Sequence, residues 1–203
     1  MKDQKVYRFL KRWVSCRVGG VIVFFNILSY PAFAVTILPM SLVEMIDRAD
    51  KIFVGICLSV QPDSIILEQT PLPVTTYTFE VIEPLKGTLP KKITFSQVGV
   101  NASSDLAISQ SIPGKPVRIP FHIPGMPTYH PGEEVLLFLS GESRIGLTSP
   151  VGLLQGAFFA RKDKISGKKF LVNGIQNAGL MPGHEGPWPF EDLLAQIRAN
   201  LKK

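Results

Sequence analysis

The chain has 203 residues, 45% of them hydrophobic and 19% charged, which suits one domain with a sizeable apolar core. Its formal net charge of +6 is concentrated at one end: residues 1–34 hold six of the 22 basic residues and one of the 16 acidic, leaving 16 against 15 and a net of +1 for the rest. Without a concentrated basic balance in that remainder, the grounds for a nucleic-acid partner disappear.

The N-terminal segment reads as an export leader. Lys2, Lys5, Arg8, Lys11, Arg12 and Arg17 precede the apolar run "VIVFFNILSY", and "PAFA" follows with Ala32 and Ala34 flanking Phe33 in the A-x-A cleavage pattern. Residues 1–34 are therefore expected to be a signal peptide, cut after Ala34, and the product to be periplasmic or extracellular. The alternative is a protein tethered to the membrane by residues 18–34. Against it, the apolar stretch falls short of the roughly 20 residues a spanning helix needs, and Asn26 and Pro31 interrupt it. Cys16 leaves with the leader and Cys57 is then alone, so no intrachain disulfide is available. Cys57 lies in a predicted strand, where a small buried hydrophobe is expected rather than a nucleophile.

The mature domain opens with a short helix. In "SLVEMIDRAD", Ser41 precedes Glu44 by three, the capping-box spacing, and Leu42, Met45, Ile46 and Ala49 share a face. "KIFVGICLSV" then changes to period two, with Ile52, Val54, Ile56, Leu58 and Val60 expected on one face and Phe53, Gly55, Cys57 and Ser59 on the other. Gly55 in mid-strand points to a bulge or tight bend. Pro62 and Asp63 predict a turn before a short strand, "SIILE", and "QTPLPV" a loop. "TTYTFEVIEPLKG" is the clearest strand, and "KKITFSQVG" its antiparallel neighbour, with Ile93 and Phe95 inward.

Residues 99–128 lack a sustained period and are punctuated by Pro113, Pro116, Pro120, Pro124 and Pro127. A structureless connection this long is the first candidate for a binding edge, with Pro113, Pro116, Arg118, Pro124, Met126 and Tyr129 as its contact residues. In "YHPGEEVLLFL", Pro131-Gly132 predicts a turn and Val135–Leu139 a buried strand. "RIGLTSPVGLLQGAFFARKD" supplies two strand-like pieces, and "ISGKKFLVNG" pairs with "GAFFARKDK" as a hairpin. "PFEDLLAQIRANLKK" is an amphipathic helix with acids in its first turn, and Trp188 is expected to pin it to the core. The expected organisation is thus a mostly-β barrel or sandwich over 35–186 and a packed C-terminal helix within 187–203.

"DRADKIFVG", "YTFEVIEPLKG" and "GEEVLLFLSG", in this order, resemble the netrin-like module of tissue inhibitors of metalloproteinases, over roughly residues 47–141. The order is also similar to uncharacterised exported bacterial proteins. The resemblance implies a mostly-β fold, a closed antiparallel OB-like barrel with a short N-terminal and a C-terminal helix. Inhibitors of that family block zinc with an N-terminal cysteine, and the expected mature start, "VTILPMS", has none. That role is not carried over.

For chemistry, His122, His130 and Glu133 or Glu134 are the candidate metal ligands, but a zinc site needs three or four ligands at compatible spacing, and His184 adds nothing to the pattern. There is no G-x-S-x-G elbow and no phosphate loop. No cofactor and no enzyme activity are expected. The leading reading is an exported non-enzymatic module that binds an unidentified protein partner, a secreted protease among the candidates. A metal-binding protein or metal-dependent hydrolase, and the membrane-tethered protein, are the alternatives.

Overall fold

A computed structural model describes residues 38–100, 108–112, 115–119, 121–183 and 185–202, with backbone alone for 108–112 and 115–119. The leader with Ala32 and Ala34, as well as Pro113, Pro120 and His184, lies outside the described residues. The chain is mostly β. Helix α1 (Leu42–Arg48) is followed by β1 (Lys51–Leu67), β2 (Thr70–Lys86), β3 (Lys92–Val98), the hairpin β4 (Ile108–Ile112) and β5 (Lys115–Ile119), and β6 (Glu134–Leu139). A 3-10 turn (Leu153–Gln155), β7 (Ala157–Lys162), β8 (Lys169–Asn173), β9 (Trp188–Pro189) and α2 (Phe190–Leu201) complete it. Seven strands form one antiparallel sheet in the order β3-β2-β1-β6-β7-β8-β9. Among the described residues its first and last strands are not paired, so the sheet is open where a closed barrel was expected.

Alternation along β6 separates two cores. Leu136 and Phe138 face the helices, joining Leu42, Met45, Ile46, Ile52, Val54, Phe158, Trp188, Leu193 and Ile197. Val135, Leu137 and Leu139 face the other way, with Phe53, Cys57, Tyr77, Phe79, Phe95 and Tyr129. A strand covered on both faces needs an unbroken apolar run, which "VLLFL" supplies. Both helices pack as their periodicity requires. The capping box forms, with the Glu44 N–H donating to Ser41 Oγ at 3.3 Å and the Ser41 N–H to Glu44 Oε2 at 3.2 Å. Lys86 Nζ donates to the Ile46 carbonyl at 2.6 Å near the other end of α1, and Arg198 pairs with Glu83. Trp188 sits in the helix-facing core beside α2, as expected of a pin.

β1 and β2 are longer than their punctuation suggested. Pro62 and Asp63 lie inside β1, opposite Thr75 and Val74, and the loop expected at "QTPLPV" is strand; the chain turns at Glu68-Gln69 alone, both with positive φ (46° and 71°). The prolines are tolerated because of where their missing N–H would point. The Pro73 carbonyl accepts from Gly99 N–H at 2.9 Å, so Pro73 and, two residues away, Pro71 face the β3 side, past the described β2–β3 ladder. By the same alternation Pro62 faces the opposite, outer edge of β1. Pro62 and Pro71 remove no described ladder hydrogen bond, and opposite Pro73 the Gly99 carbonyl accepts from Thr75 Oγ1 at 2.6 Å instead.

Gly55 marks a bulge, as its position implied: register shifts fall between Val54 and Gly55 and again between Cys57 and Ser59. A Cβ there would come within 2.8 Å of the Glu80 carbonyl oxygen. The second shift changes the phase of the strand. Val60, expected beside Ile52 and Val54, packs instead against the aromatic core with Phe53 and Cys57. The expected structureless 99–128 segment also differs, since it contains the β4–β5 hairpin, and a Val100–Phe121 bridge closes its base. Of the two strand-like pieces expected in 144–163, one is β7 and the other a 3-10 turn with isolated bridges.

Candidate functional site

The corner "YHPGEE" is a tight turn. The Glu133 N–H donates to the His130 carbonyl at 3.0 Å, and Gly132 takes the positive φ (86°) that Pro131-Gly132 predicts. The Glu133 carboxylate folds back to accept from the His130 N–H at 2.9 Å, with His130 Nδ1 at 3.4 Å. The turn is moored to β1, where Gly132 N–H donates to the Cys57 carbonyl and Cys57 N–H to the Glu133 carbonyl. Glu134 pairs with Lys169 at 2.9 Å. The two glutamates thus brace the turn and a neighbouring strand. His122 instead lines a separate cleft with Gln97 and Met126. Among the described residues, no group of three or more His, Cys, Asp or Glu side chains could hold a metal ion. His122, His130 and Glu133 are not brought together as ligands.

Cys57 is buried, with burial first and the Glu133 charge second pushing its thiol up to about 11. A thiol so placed is a poor nucleophile at neutral pH.

Tyr129, expected at a partner-binding edge, is 2% exposed and stands at the centre of the aromatic core. Its ring meets Tyr77 at 4.9 Å and 87° and Phe79 at 5.3 Å and 84°, edge-on geometries that favour the aromatic quadrupoles. This side chain is core and cannot be a surface contact. Of the other residues assigned to that edge, Pro124 is exposed and Met126 half-buried, while Pro116 and Arg118 lie in β5 and their side chains are not described.

The structure adds a residue that sequence reasoning passed over. Gln97 is 1% exposed, and among the described residues neither its Oε1 nor its Nε2 has a hydrogen-bond partner, nor does the Tyr129 hydroxyl. The Gln97 amide and the Tyr129 hydroxyl are near neighbours in this core. Burial pushes the Tyr129 phenol well above its ordinary range, and burial raises Tyr77 to about 12. An amide left unpaired in a core costs about 1–3 kcal/mol, which makes Gln97 an unusual occupant of this position. The sequence did carry a signal: Gln97 follows Ile93 and Phe95 at period two, a polar residue at an inward position.

Above Gln97 lies a cleft lined by Thr75, Gly99, His122 and Met126, of about 10 Å³, the size of one water molecule and far too small for a substrate. It shares Val98 and Met126 with a broader open groove of about 350 Å³, lined also by Ser140, Ser143, Ile145 and Thr148. The hydroxyls of this groove hold its wall. Ser140 Oγ donates to the Ser149 carbonyl at 2.8 Å, Thr148 Oγ1 to the Ser140 carbonyl at 2.7 Å, and Ser143 Oγ accepts from Leu147 N–H at 3.1 Å. These bonds brace the wall, and Ile145 on it is 43% exposed.

Among the described residues no helix is long and apolar enough to cross a membrane. No protein-family model, curated protein or solved structure matches the chain.

Proposed function

We propose that this chain is an exported, non-catalytic binding module that receives an extended segment of a protein partner in the groove between Val98, Met126 and the 140–149 wall. The groove itself carries the reading. It sets partly exposed apolar side chains, Met126 and Ile145, beside polar wall atoms, and its shape is open and shallow, as suits a peptide better than an engulfed small molecule. It is bounded by the base of the 99–128 excursion, so the β4–β5 hairpin is the proposed second contact. The basic leader and the A-x-A pattern support export.

The finer fold reading, an OB-like sheet of netrin type, belongs to the same proposal. It is supported by residues 147–150, which bridge strands that the sheet order leaves apart. Thr148 N–H donates to the Ser96 carbonyl of β3 at 3.1 Å, and Ser140 N–H, just past β6, donates to the Ser149 carbonyl at 3.0 Å. Isolated bridges Ser96–Leu147 and Leu139–Pro150 accompany them. With this segment as a short fifth stave, β1, β2, β3 and β6 wrap around the aromatic core.

The test is capture from envelope and culture fluid of the host with the full chain as bait. A partner retained stoichiometrically by the wild type, and lost by Met126→Glu, by Ile145→Asp and by deletion of 103–120, is the expected result. Circular dichroism should stay unchanged in each variant. A partner captured equally by all four proteins, or by none, overturns the reading. Intact mass beginning at Val35 is the expected sign of export.

A further inference from the structure

Beyond the groove, the near-neutral charge of the mature chain hides one dense run, "RKDKISGKK", residues 161–169, with five cations and a single acid. It forms the end of the β7–β8 hairpin, where Lys162 and Lys169 stand directly opposite each other. Like charges across a strand pair oppose folding, so their juxtaposition here is not a packing device. Lys169 is partly engaged, bridged to Glu134 and lying 4.3 Å from the Phe190 ring centroid. Arg161 lies over Phe159 at 5.6 Å. Among the described residues, Lys162, Lys164 and Lys168 have no acidic partner.

The one acid of the run is engaged by the turn, whose hydrogen bonds keep its carboxyl ionised. Asp163 Oδ1 accepts from the Ser166 N–H at 2.6 Å, the Ser166 hydroxyl at 2.7 Å and the Ile165 N–H at 3.1 Å, and Asp163 N–H donates to the Lys168 carbonyl at 2.8 Å. This fixed turn presents Ile165 at its apex, 99% exposed, between Lys164 and Lys168. A lone exposed aliphatic residue is ordinary on a protein surface. One held at a turn apex by three hydrogen bonds, with free ammonium groups on both flanks, is arranged for an environment that is apolar inside and anionic at its rim.

We infer that the β7–β8 hairpin tip docks on an anionic phospholipid surface. Lys162, Lys164 and Lys168 meet the headgroup phosphates, and Ile165 enters the boundary with the acyl chains. An acidic polysaccharide or other soluble polyanion would match the lysines but offers nothing to the isoleucine. The contact is peripheral: it involves no spanning element, and salt weakens it because the charges act across water.

The test is amide hydrogen exchange, read by mass spectrometry on the full chain, with vesicles of phosphatidylcholine alone or mixed with phosphatidylglycerol. The readout is confined to residues 162–169, so lipid binding elsewhere in the chain does not register. Slowed exchange with the anionic vesicles alone is the expected result. Each Lys→Gln change should raise the lipid concentration for half effect about fivefold, and K162Q/K164Q/K168Q together about a hundredfold. Ile165→Ser should raise it several-fold. The exposed positions make unfolding of these variants checkable by circular dichroism. Equal slowing on neutral vesicles, none on either, or indifference to the triple substitution overturns the inference. So does equal slowing by dextran sulfate with no effect of Ile165→Ser, an outcome that assigns the tip to a polyanion.

Discussion

Asn173 and Asn177 hold each other by a reciprocal pair of hydrogen bonds. Asn173 N–H donates to Asn177 Oδ1 at 2.9 Å, and Asn177 N–H donates to Asn173 Oδ1 at 2.7 Å. The Asn177 amide also donates to the Leu171 carbonyl at 3.0 Å and the Gly186 carbonyl at 2.7 Å, while Asn173 Nδ2 donates to the Gln155 carbonyl at 3.0 Å. Both side chains are buried, so this network ties the end of β8 and the segment leading to β9 to the core. Replacing Asn177 by Leu keeps the branched shape but adds bulk at a residue with positive φ (59°), and it removes the partners of two carbonyls and one N–H. The expected loss is about 2–4 kcal/mol, read as a lowered urea midpoint with an unchanged slope. Asn177→Asp should also destabilise, since it removes both amide donations.

The same network shows what the sequence could and could not disclose. "NGIQN" carries two asparagines four apart, but which carbonyls they would reach depends on strands distant along the chain. Elements with local causes were readable: the Ser41–Glu44 capping box, the apolar face of α2, the Pro131-Gly132 turn and the β7–β8 hairpin. Pro62 and Pro71 misled because proline forbids only a ladder hydrogen bond, and the sequence does not say on which edge that bond would lie. Tyr129 was misplaced for a related reason. It sits among turn residues and reads as surface, whereas its neighbours Tyr77, Phe79 and Phe95 come from β2 and β3. Gln97 was legible as an oddity in an inward position, but not as an unpaired one.

Gly55 should not tolerate a side chain. A Cβ would approach the Glu80 carbonyl oxygen to 2.8 Å and a Phe53 ring carbon to 2.9 Å, and the backbone atom cannot swing aside as a flexible side chain would. Gly55→Val is expected to destabilise by about 2–3 kcal/mol, despite the high strand propensity of valine. Gly55→Ala separates the causes: alanine adds the same Cβ with no β-branching, so most of the loss should already be present. Thermal unfolding of the two variants checks this.

Stability should decline on the alkaline side through Cys57. Its folded thiol titrates at about 11 against an ordinary 9.0, so between these values the unfolded chain has lost the proton that the folded chain keeps. The unfolded state then binds fewer protons, and the free energy of unfolding falls as pH rises, by at most about 1.4 kcal/mol per pH unit for this group. Below pH 9 the thiol is protonated in both states and contributes no pH dependence. Tyr77, raised to about 12, adds a second decline starting near pH 10. Urea unfolding at successive pH values should show the decline beginning near 9 in the wild type, and near 10 in Cys57→Ala.

Pro62 should protect the outer edge of the β1–β2 ribbon beyond Ile56, which no described strand pairs. The register puts the N–H and C=O groups of residues 60, 62, 64 and 66 on the outer side of β1, beyond the stretch covered by β6, which ends at Ile56. Such an edge is a template for another strand, and exposed Ile66 (71%) and Leu67 (43%) near its tip would favour the pairing. Pro62, in the middle of that edge, withholds one donor and blocks close approach. Pro62→Thr restores an N–H and a β-branched residue while leaving every described partner of β1 in place. The expected outcome is a concentration-dependent oligomer by light scattering, with the thermal midpoint of the dilute protein unchanged or higher. If the variant stays monomeric at concentrations where the wild type does, the outer edge is guarded by something other than this proline.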